Sequence, residues 1–423
     1  MLVLLFVFFF ILLAIGVPVA FSLGASSLMY FIMNGIPLIT LPQKMFAGMN
    51  SFVLLCVPGF ILAGNLMNQG GITRKIIKFS NSMVGHIRGG LSLANIVASM
   101  VFAGISGTAT ADVASLGAIL IPAMRDEGYE TDFACAVTAS SSTIGPIIPP
   151  SLPMIIAGTM TGLSVTKLFI AGIIPGILLG GGMMLVSYSI SRHRNHPKNE
   201  RASFNQICSN FADAFWALLM TVIILVGILG GFCTPTEASI IAVMYALIVG
   251  IYIYKDLSWK MITKIIIESA MTTTAILILI GFANVFAWIL AMEQVPQMVA
   301  AVLLSITDNK LIILLLINIL LLFVGTFMET LAALAILFPT LLAVAVQVGV
   351  DPIQFAIISI LNLVIGLTTP PVGVCLFISS TIGKISLSKV TKAIIPFLLV
   401  SLVVLALVTY FPPVTLGLVK IFF

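Results

Sequence analysis

Residues 102–124 read FAGISGTATADVASLGAILIPAM, and this stretch decides how the rest of the chain is interpreted. It is apolar at both ends but is interrupted midway by GISGTATAD (104–112). A second apolar stretch, 311–345, is interrupted in the same way by VGTFMET (324–330). Helical arms of about 12–15 residues cover only about 20 Å, which is too short for a hydrocarbon core of about 30 Å. Both stretches therefore predict re-entrant helical hairpins, at about 91–123 and about 311–345.

The composition places these hairpins in a membrane. Charged residues make up 8% of the 423 residues, whereas a soluble domain carries about 25%. Apolar residues make up 60%, and uncharged runs such as 133–166 and 352–383 are long enough to cross a bilayer. A soluble protein is nearly excluded, and the sequence predicts an all-α polytopic membrane protein. The net charge of +5 does not indicate nucleic-acid binding, because the basic residues lie in short loops between apolar segments.

The distribution of the basic residues predicts the orientation. Fifteen of the 19 Lys and Arg residues fall in loops that share one side of the membrane if the N-terminus is outside. By the positive-inside rule, that side is the cytoplasm. Both termini are then expected outside. The predicted inner loops are 68–90, 124–132, 192–211, 255–265 and 384–392.

The spacing of Gly, Pro and acidic residues shows the same plan twice. The matching intervals are Gly145–Pro149 with Gly366–Pro370, Asp112–Pro122 with Glu329–Pro339, and Pro150–Pro175 with Pro371–Pro396. We predict a first repeat at 1–191, a cytoplasmic linker at 192–211 and a second repeat at 212–423. Each repeat would contain one hairpin and one broken helix, at about 133–163 and about 352–383. The charge pattern places the two hairpins on opposite sides, and such inverted repeats are typical of secondary transporters.

Glycine, proline and hydroxyl residues coincide at the predicted interruptions, as in TIGPIIPPS (143–151) and GLTTPP (366–371). Proline removes an amide donor and glycine lets the chain leave helical geometry, so backbone carbonyls are freed at membrane depth. A polar cavity or an ion such as Na+ can satisfy them. The alternative is that these are proline kinks whose Ser and Thr hydroxyls bond to their own helices. The candidate Na+ ligands are Ser106, Gly107, Thr108, Thr110, Asp112, Thr143, Gly145, Gly325, Thr326, Met328, Gly366, Thr368 and Thr369.

Two further groups of polar residues each have two possible roles. Asp112 and Glu329 follow the two tips, where each could shape an ion site or cap the helix of the second hairpin arm. The predicted substrate-binding residues are Ser140, Ser141, Ser142 and Asn362. The serines could equally serve helix packing. No HExxH, G-x-S-x-G or Walker sequence is present, so neither an enzyme nor an ATP-driven pump is predicted, and Na+ is expected only as a coupling ion.

These motifs resemble those of the large membrane (permease) subunit of tripartite ATP-independent periplasmic (TRAP) transporters, within the superfamily that includes the divalent-anion sodium symporters. The resemblance covers nearly the whole chain. Its strongest carriers are residues 102–124 and SSSTIGPIIPPSLPMIIAG (140–158). Their counterparts in the second half are VGTFMETLAALAILFP (324–339) and IGLTTPPVGVCLF (365–377).

The resemblance implies an elevator-type, sodium-driven importer in the bacterial inner membrane. It also implies an organic-acid substrate that a periplasmic substrate-binding protein delivers, and a small membrane subunit as a second partner. Symporters of the wider group have Ser-Asn-Thr at the tip, whereas this sequence has Ser106, Gly107 and Thr108, which shifts weight from side-chain to backbone ligands. Sialic acid, four-carbon dicarboxylates and keto acids all remain open as substrates.

Two alternative functions remain open at this point. A stand-alone sodium/dicarboxylate symporter of the same superfamily would share the interrupted helices but would need no binding protein. A non-transporting structural membrane subunit would not need paired interruptions at all.

Overall fold

The computed structural model describes residues 1–307 and 309–423, apart from the side chains of 104–106, 300, 303, 304 and 306. Within that part every regular element is helical, which confirms the predicted all-α class. Among the described helices, eight are long and apolar enough to cross a membrane, as expected for a polytopic membrane protein. Their bounds are Phe52–Gln69, Val165–His193, Phe204–Leu229, Pro235–Ile253, Trp259–Met292, Lys310–Phe327, Thr330–Gln347 and Leu387–Tyr410.

The helices divide at the predicted linker. Before it lie α1 (Leu2–Ala14), α2 (Val19–Met33), α3 (Thr40–Met49), α4 (Cys56–Gln69), α5 (Ile72–Val84), α6 (Gly90–Ser106), α7 (Ala109–Asp126), α8 (Thr131–Ser141), α9 (Leu152–Thr161) and α10 (Val165–His193). After it lie α11 (Phe204–Leu229), α12 (Pro235–Ile248), α13 (Trp259–Met292), α14 (Val295–Ile306), α15 (Lys310–Phe327), α16 (Thr330–Gln347), α17 (Pro352–Gly366), α18 (Val374–Gly383), α19 (Leu387–Tyr410) and α20 (Pro413–Phe422). The 34-residue α13 packs against α2, α3, α4 and α16.

Short breaks separate α6 from α7 and α15 from α16. At the first break Gly107 has φ of +65°, a left-handed conformation that favours glycine, and the extended Thr108 precedes α7. At the second break Met328 is extended, and the Glu329 carboxylate caps α16 by accepting hydrogen bonds from amides of its first turn. The arms are longer than predicted, with 17 residues in α6 and 18 in each of the others. Such arms reach about 27 Å, close to the thickness of the hydrocarbon core. The prediction that the hairpins are re-entrant is therefore supported by the charge pattern and not by helix length.

The α-helices in the predicted broken segments are interrupted, in the first half by a 3-10 turn at Ser142–Ile144 and irregular chain, and in the second half by irregular chain. Residues 142–151 separate α8 from α9, and residues 367–373 separate α17 from α18. The Pro149–Pro150 and Pro370–Pro371 bonds in these segments are both cis. Proline supplies no amide to continue a helix, so the chain leaves helical geometry at these sequences.

The helix starts give the spacing between the two halves. α16 begins 221 residues after α7, and α17 begins 221 residues after α8. Gly366 follows Gly145 by the same interval. With this spacing Glu329 corresponds to Thr108, and each residue directly precedes a second hairpin arm. Asp112 is the fourth residue of α7, so its predicted match with Glu329 is wrong by one helical turn. The predicted match counted back from Pro122 and Pro339, which lie inside the two helices. The N-cap residue, and not an internal proline, marks where a helix begins.

The non-helical part of the predicted linker is shorter than 192–211. Helix α10 continues to His193, and α11 begins at Phe204. The reason is a capping box, in which the Ser203 side chain and the Gln206 side chain each bond to the other's backbone. Only residues 194–203 therefore connect the two helices.

The interrupted helices form the centre of the protein. Every residue of α17 from Ile353 to Gly366 is buried, as is every residue of α8 from Phe133 to Ser141. Helix α18 packs against α7 and α8, and α19 packs against α8 and α17. The first break is enclosed by protein, which irregular backbone at membrane depth requires, whereas Pro371 and Val372 of the second break are exposed.

Candidate ion and substrate site

The second hairpin tip and the second break meet through two glycines. A Cβ atom on Gly366 would lie 2.5 Å from the Cα atom of Gly325, closer than real side chains approach. A Cβ atom on Gly325 would lie 2.9 Å from the Leu363 carbonyl oxygen. Nearby, the Gly373 amide donates a hydrogen bond to the Thr326 carbonyl at 3.2 Å. The absence of side chains at Gly325 and Gly366 therefore lets the backbone of α15 touch that of α17.

The three threonines of this tip and break use their hydroxyl hydrogens locally. Thr326 donates to the Phe323 carbonyl at 2.7 Å. Thr368 and Thr369 both donate to the Ile365 carbonyl at 2.9 Å. These are the own-helix hydrogen bonds of the alternative interpretation, but a donating hydroxyl keeps its oxygen lone pairs for a second contact. Local bonding and ion binding are therefore compatible here.

The first hairpin tip and the first break also meet at glycines. A Cβ atom on Gly145 would collide with the Asp112 carboxylate. A Cβ atom on Gly107 would lie 3.2 Å from Cγ of Leu152, the first residue of α9. In this half a carboxylate, and not backbone, therefore fills the space beside the glycine of the break.

The remaining predicted ligands of the first half lie at the first tip and in the first break. The Thr143 hydroxyl donates to the Ser140 carbonyl at 2.6 Å. Thr108 directly precedes α7 and Thr110 lies in its first turn, and both are partly buried. The Ser106 side chain lies outside the described residues. Thr108 and Thr110 therefore share the start of α7 with Asp112, whose carboxylate lies beside Gly145.

The two acidic residues have different roles in their helices. Glu329 precedes α16, and its carboxylate accepts hydrogen bonds from two amides at 2.8 and 3.4 Å. The predicted ligand Met328 directly precedes Glu329 and has an extended backbone. Asp112 is fully buried within the first turn of α7, beyond the capping position, and lies beside Gly145. Capping therefore accounts for Glu329, whereas Asp112 keeps its carboxylate at the first break.

The predicted substrate-binding residues are buried and bonded within the protein. Ser140 and Ser142 donate to carbonyls of their own helix at 2.7 Å. Ser141 accepts a hydrogen bond from a serine hydroxyl of α6 at 2.9 Å. The Asn362 amide donates to the Asn318 side-chain oxygen at 2.8 Å. These contacts join α8 to α6 and α17 to α15. None of the four residues lines the cavity of about 170 Å³ beside the first hairpin tip. Their substrate role stays a prediction.

A cavity of about 170 Å³ lies between the first hairpin tip, α4 and α13. We call it the tip cavity. The residues described as lining it carry no charge, and their polar groups are hydroxyls and side-chain amides. Its polar lining residues are Asn65, Asn68, Thr108, Ser115 and Thr272.

Four of these polar lining residues, including Ser115 of the first hairpin, were not among the predicted site residues. Asn65 and Asn68 lie in FILAGNLMNQ (60–69), and Thr272 lies in MTTTA (271–275). Each is a polar residue inside an apolar helix, which was the available signal. That signal does not show that α4 and α13 face the hairpin tip, since only the packing of distant helices brings them together.

A second cavity of about 160 Å³ lies at the other end of α9, and we call it the far cavity. Ser51, Thr159 and Asn284 contribute its polar lining. Leu152, at the start of α9, lines the tip cavity, whereas Thr159 near its end lines the far cavity. Helix α9 is buried from Leu152 to Gly158. It therefore separates two polar cavities that both border α13.

Comparison with known proteins identifies the family. Residues 6–414 match the profile described as Tripartite ATP-independent periplasmic transporter, DctM component. The chain belongs to this family of TRAP transporter large permeases.

Relatives agree with that membership, and a solved structure shares the fold. This TRAP large permease is 44% identical, over 96% of its length, to the sialic acid TRAP transporter large permease protein SiaM of Vibrio cholerae, and covers 96% of it. It is 40% identical, over 97% of its length, to the isethionate TRAP transporter permease protein DctMQ of Oleidesulfovibrio alaskensis, and covers 65% of it. Its fold is similar to that of the Alcanivorax borkumensis YdaH transporter, with a TM-score of 0.63 at 14% identity over 89% of this chain and 90% of that one.

Family membership confirms the resemblance found in the sequence. The chain is a subunit of a secondary transporter and is not an enzyme. It is a multi-pass protein of the inner membrane.

Proposed function

We propose that this TRAP large permease is the subunit of a sodium-coupled importer that moves an organic acid across the inner membrane. The acid would arrive from a periplasmic substrate-binding protein, and a small membrane subunit would complete the transporter. The observation that carries the proposal is that a hairpin tip meets a helix break in each half, at Gly325–Gly366 and at Asp112–Gly145. Two such meeting points offer one ion site in each half.

The chemistry of both meeting points suits Na+. The predicted ligands are hydroxyl and carbonyl oxygens at interrupted helices, the donors that hold Na+ in secondary transporters. Among the described residues, no group of three or more His, Cys, Asp and Glu side chains could hold a metal. A hard monovalent cation is therefore favoured over a transition metal. The buried Asp112 carboxylate would add attraction for a cation in the first half.

The tip cavity is the best candidate for the organic acid. The side-chain amides of Asn65 and Asn68 can donate hydrogen bonds to a carboxylate or sulfonate without a buried lysine or arginine, which would be expensive at membrane depth. Thr108 belongs both to this cavity and to the predicted Na+ ligands. An ion that orders the first tip would therefore also shape the cavity, and this shared segment couples the two binding events.

The two cavities support alternating access. Both border α13, the tip cavity at Thr272 and the far cavity at Asn284. Because α13 begins in the predicted inner loop 255–265, the tip cavity lies nearer the cytoplasm. We infer an elevator-type movement, in which the interrupted helices shift along α13 and carry the site from one cavity position to the other.

The partners follow from the family. Its name describes a tripartite transporter, and one of the three components would be this chain. The isethionate relative, of which this chain covers 65%, carries additional sequence in the same polypeptide. We assign the role of that additional sequence to a separate small membrane subunit, and substrate delivery to a periplasmic binding protein.

Uptake by proteoliposomes tests the proposed function. The purified complex with its small subunit would be supplied with a binding protein loaded with labelled sialic acid or isethionate, the acids in the relatives' names. We expect uptake only with an inward Na+ gradient, and only with the binding protein. Uptake without binding protein would favour the stand-alone symporter. Undiminished uptake with protons and no Na+ would contradict the cation assignment.

A further inference from the structure

The segment after α10 is docked through a buried histidine. His196 is only 4% exposed, although it lies in the connection between α10 and α11. The centroid of its ring lies 4.7 Å from those of both Tyr129 and Phe133, whose rings are parallel to each other. A buried imidazole requires hydrogen-bond partners for both nitrogens.

Both imidazole nitrogens of His196 have partners. Nε2 lies 2.6 Å from Glu130 Oε2, and Nδ1 lies 3.0 Å from Ser191 Oγ. The Arg194 guanidinium lies 3.5 Å from the same Glu130 oxygen and 3.8 Å from the Asp132 carboxylate. We call this group the clasp; it consists of Glu130, Ser191, Arg194 and His196.

Backbone hydrogen bonds extend the docked region on both sides of the clasp. The Gly89 amide donates to the Pro197 carbonyl at 3.1 Å, and the Asn199 amide donates to the Gly85 carbonyl at 3.0 Å. Residues 194–199 are therefore fixed to the end of α5 and to the starts of α6 and α8. In the described chain, residues 200–202 make no backbone hydrogen bond of this kind, and they lead directly to Ser203, which caps α11.

We propose that His196 is a positioning residue that makes α10 and residues 194–199 move as one body with the first hairpin and α8. The joint to α11 would then be residues 200–203. The inference rests on the proposed function, because a joint matters only if these helices move during transport. Helices α6 and α8 lead to the first tip and the first break, whereas α11 packs chiefly against α5 and α12.

The clasp tolerates both protonation states of the imidazole. A neutral His196 can donate from Nε2 to Glu130 and accept at Nδ1 from the Ser191 hydroxyl. A protonated ring donates from both nitrogens, because a serine oxygen also accepts. Glu130 and Tyr129 contact the ring, and Arg194 pairs with both Glu130 and Asp132 beside it.

The carboxylate partner also stays charged at neutral pH. Burial alone would raise the pKa of Glu130, but the hydrogen bond to His196 and the charge of Arg194 lower it below its ordinary value. Its contribution to stability is complete above the unfolded pKa and is lost only as the pH falls through the lowered folded pKa. The contribution of Glu130 should therefore be complete at neutral pH and should be lost only in acid.

Hydrogen–deuterium exchange tests the docking without transport. His196→Ala should speed exchange about tenfold in peptides covering 85–91 and 194–199, because a buried hydrogen-bonded partner is lost. His196→Gln, whose amide can still donate to Glu130, should restore most of the protection. The matched control is His193→Ala, since His193 is exposed on the last turn of α10. Unchanged exchange in His196→Ala would overturn the proposal.

Cross-linking tests whether the segment stays docked while the transporter works. Arg88 and Asn195 are exposed, and their side chains lie 2.7 Å apart. Cysteines at both positions, with exposed Cys208 replaced by serine, would be joined by a short bifunctional methanethiosulfonate. With His196 present, joining the cysteines should leave uptake within about twofold of the unjoined protein. His196→Ala alone should lower uptake, and joining the cysteines in that variant should restore it, since both contacts fix the same segment.

The outcomes separate this inference from the proposed function. Loss of uptake on joining the cysteines, in protein that retains His196, would show that the segment must undock and would overturn the proposal. Failure of the cross-link to rescue His196→Ala would also overturn it. Absence of Na+-driven uptake in the unjoined protein would contradict the proposed function, and the exchange experiment would still decide the docking.

Discussion

The Cα atom of Gly325 occupies the space into which a side chain at Gly366 would project, 2.5 Å from the position of a Cβ atom. This contact joins the end of α15 to the end of α17 without any side chain. It therefore holds the second tip and the second break at a fixed separation, with Thr326 and Thr368 on either side.

Substitution of Gly366 by alanine should abolish uptake while the protein still inserts. The added methyl group would push the tip away from the break, and overpacking of this kind costs about 1–3 kcal/mol. Insertion depends on the flanking apolar helices, which are unchanged. Uptake by proteoliposomes, normalised to monodisperse protein, measures the effect.

Gly181→Ala is the matched control for this substitution. A Cβ atom at Gly181 would have no atom within 4 Å, so uptake should be unchanged. Wild-type uptake in Gly366→Ala would show that the close contact between α15 and α17 is not required for transport.

Replacement of Asp112 by asparagine should raise the Na+ concentration for half-maximal uptake about tenfold, because a buried charge that attracts the cation is lost. Glu329→Gln should change it less, since an amide oxygen can still accept the two hydrogen bonds that cap α16. Na+ titrations of uptake in both variants provide the measurement. Identical Na+ dependence in Asp112→Asn and wild type would remove Asp112 from the ion site.

Removal of the Thr272 hydroxyl should weaken binding of the organic acid. Thr272→Val keeps the shape but removes one polar group from the tip cavity, so KM for the acid should rise about fivefold with little change in Na+ dependence. Thr274→Val is the control, because Thr274 lies on the same helix, is exposed and makes the same kind of own-helix hydrogen bond. An equal rise of KM in both variants would argue against the tip cavity as the substrate site.

The predicted orientation can be measured by labelling single cysteines on a cysteine-free background. A cysteine at exposed Asn199 should react with an impermeant maleimide only from the cytoplasmic side, because fifteen of 19 basic residues fall on that side. A cysteine at exposed Gln43 should react only from outside. Labelling at Asn199 from outside would contradict the inverted arrangement of the two halves.

The interruptions of the helices could be predicted because their causes are local. Glycine at Gly107 and proline at Pro149 and Pro370 act on the residues beside them, and the structure breaks its helices at these sequences. The family could be recognised for the same reason, since the motifs that carry it are these same short stretches.

Features that depend on packing could not be predicted in the same way. The spacing of Asp112 to a proline suggested a match with Glu329, but α7 begins directly after Thr108, which places the helix start one turn earlier. Asn65 and Thr272 line one cavity because α4 and α13 pack beside the hairpin tip, a contact between distant parts of the chain. His196 is buried only because the connection after α10 folds back onto α8.

The ratio of Na+ to organic acid moved per transport cycle tests the central claim most directly. Parallel uptake of radioactive sodium and labelled acid into the same proteoliposomes, at a clamped membrane potential, gives this ratio. We expect more than one Na+ per acid, because each half of the chain brings its own hairpin tip to its own helix break. A ratio of one or below would contradict the assignment of an ion site to each half.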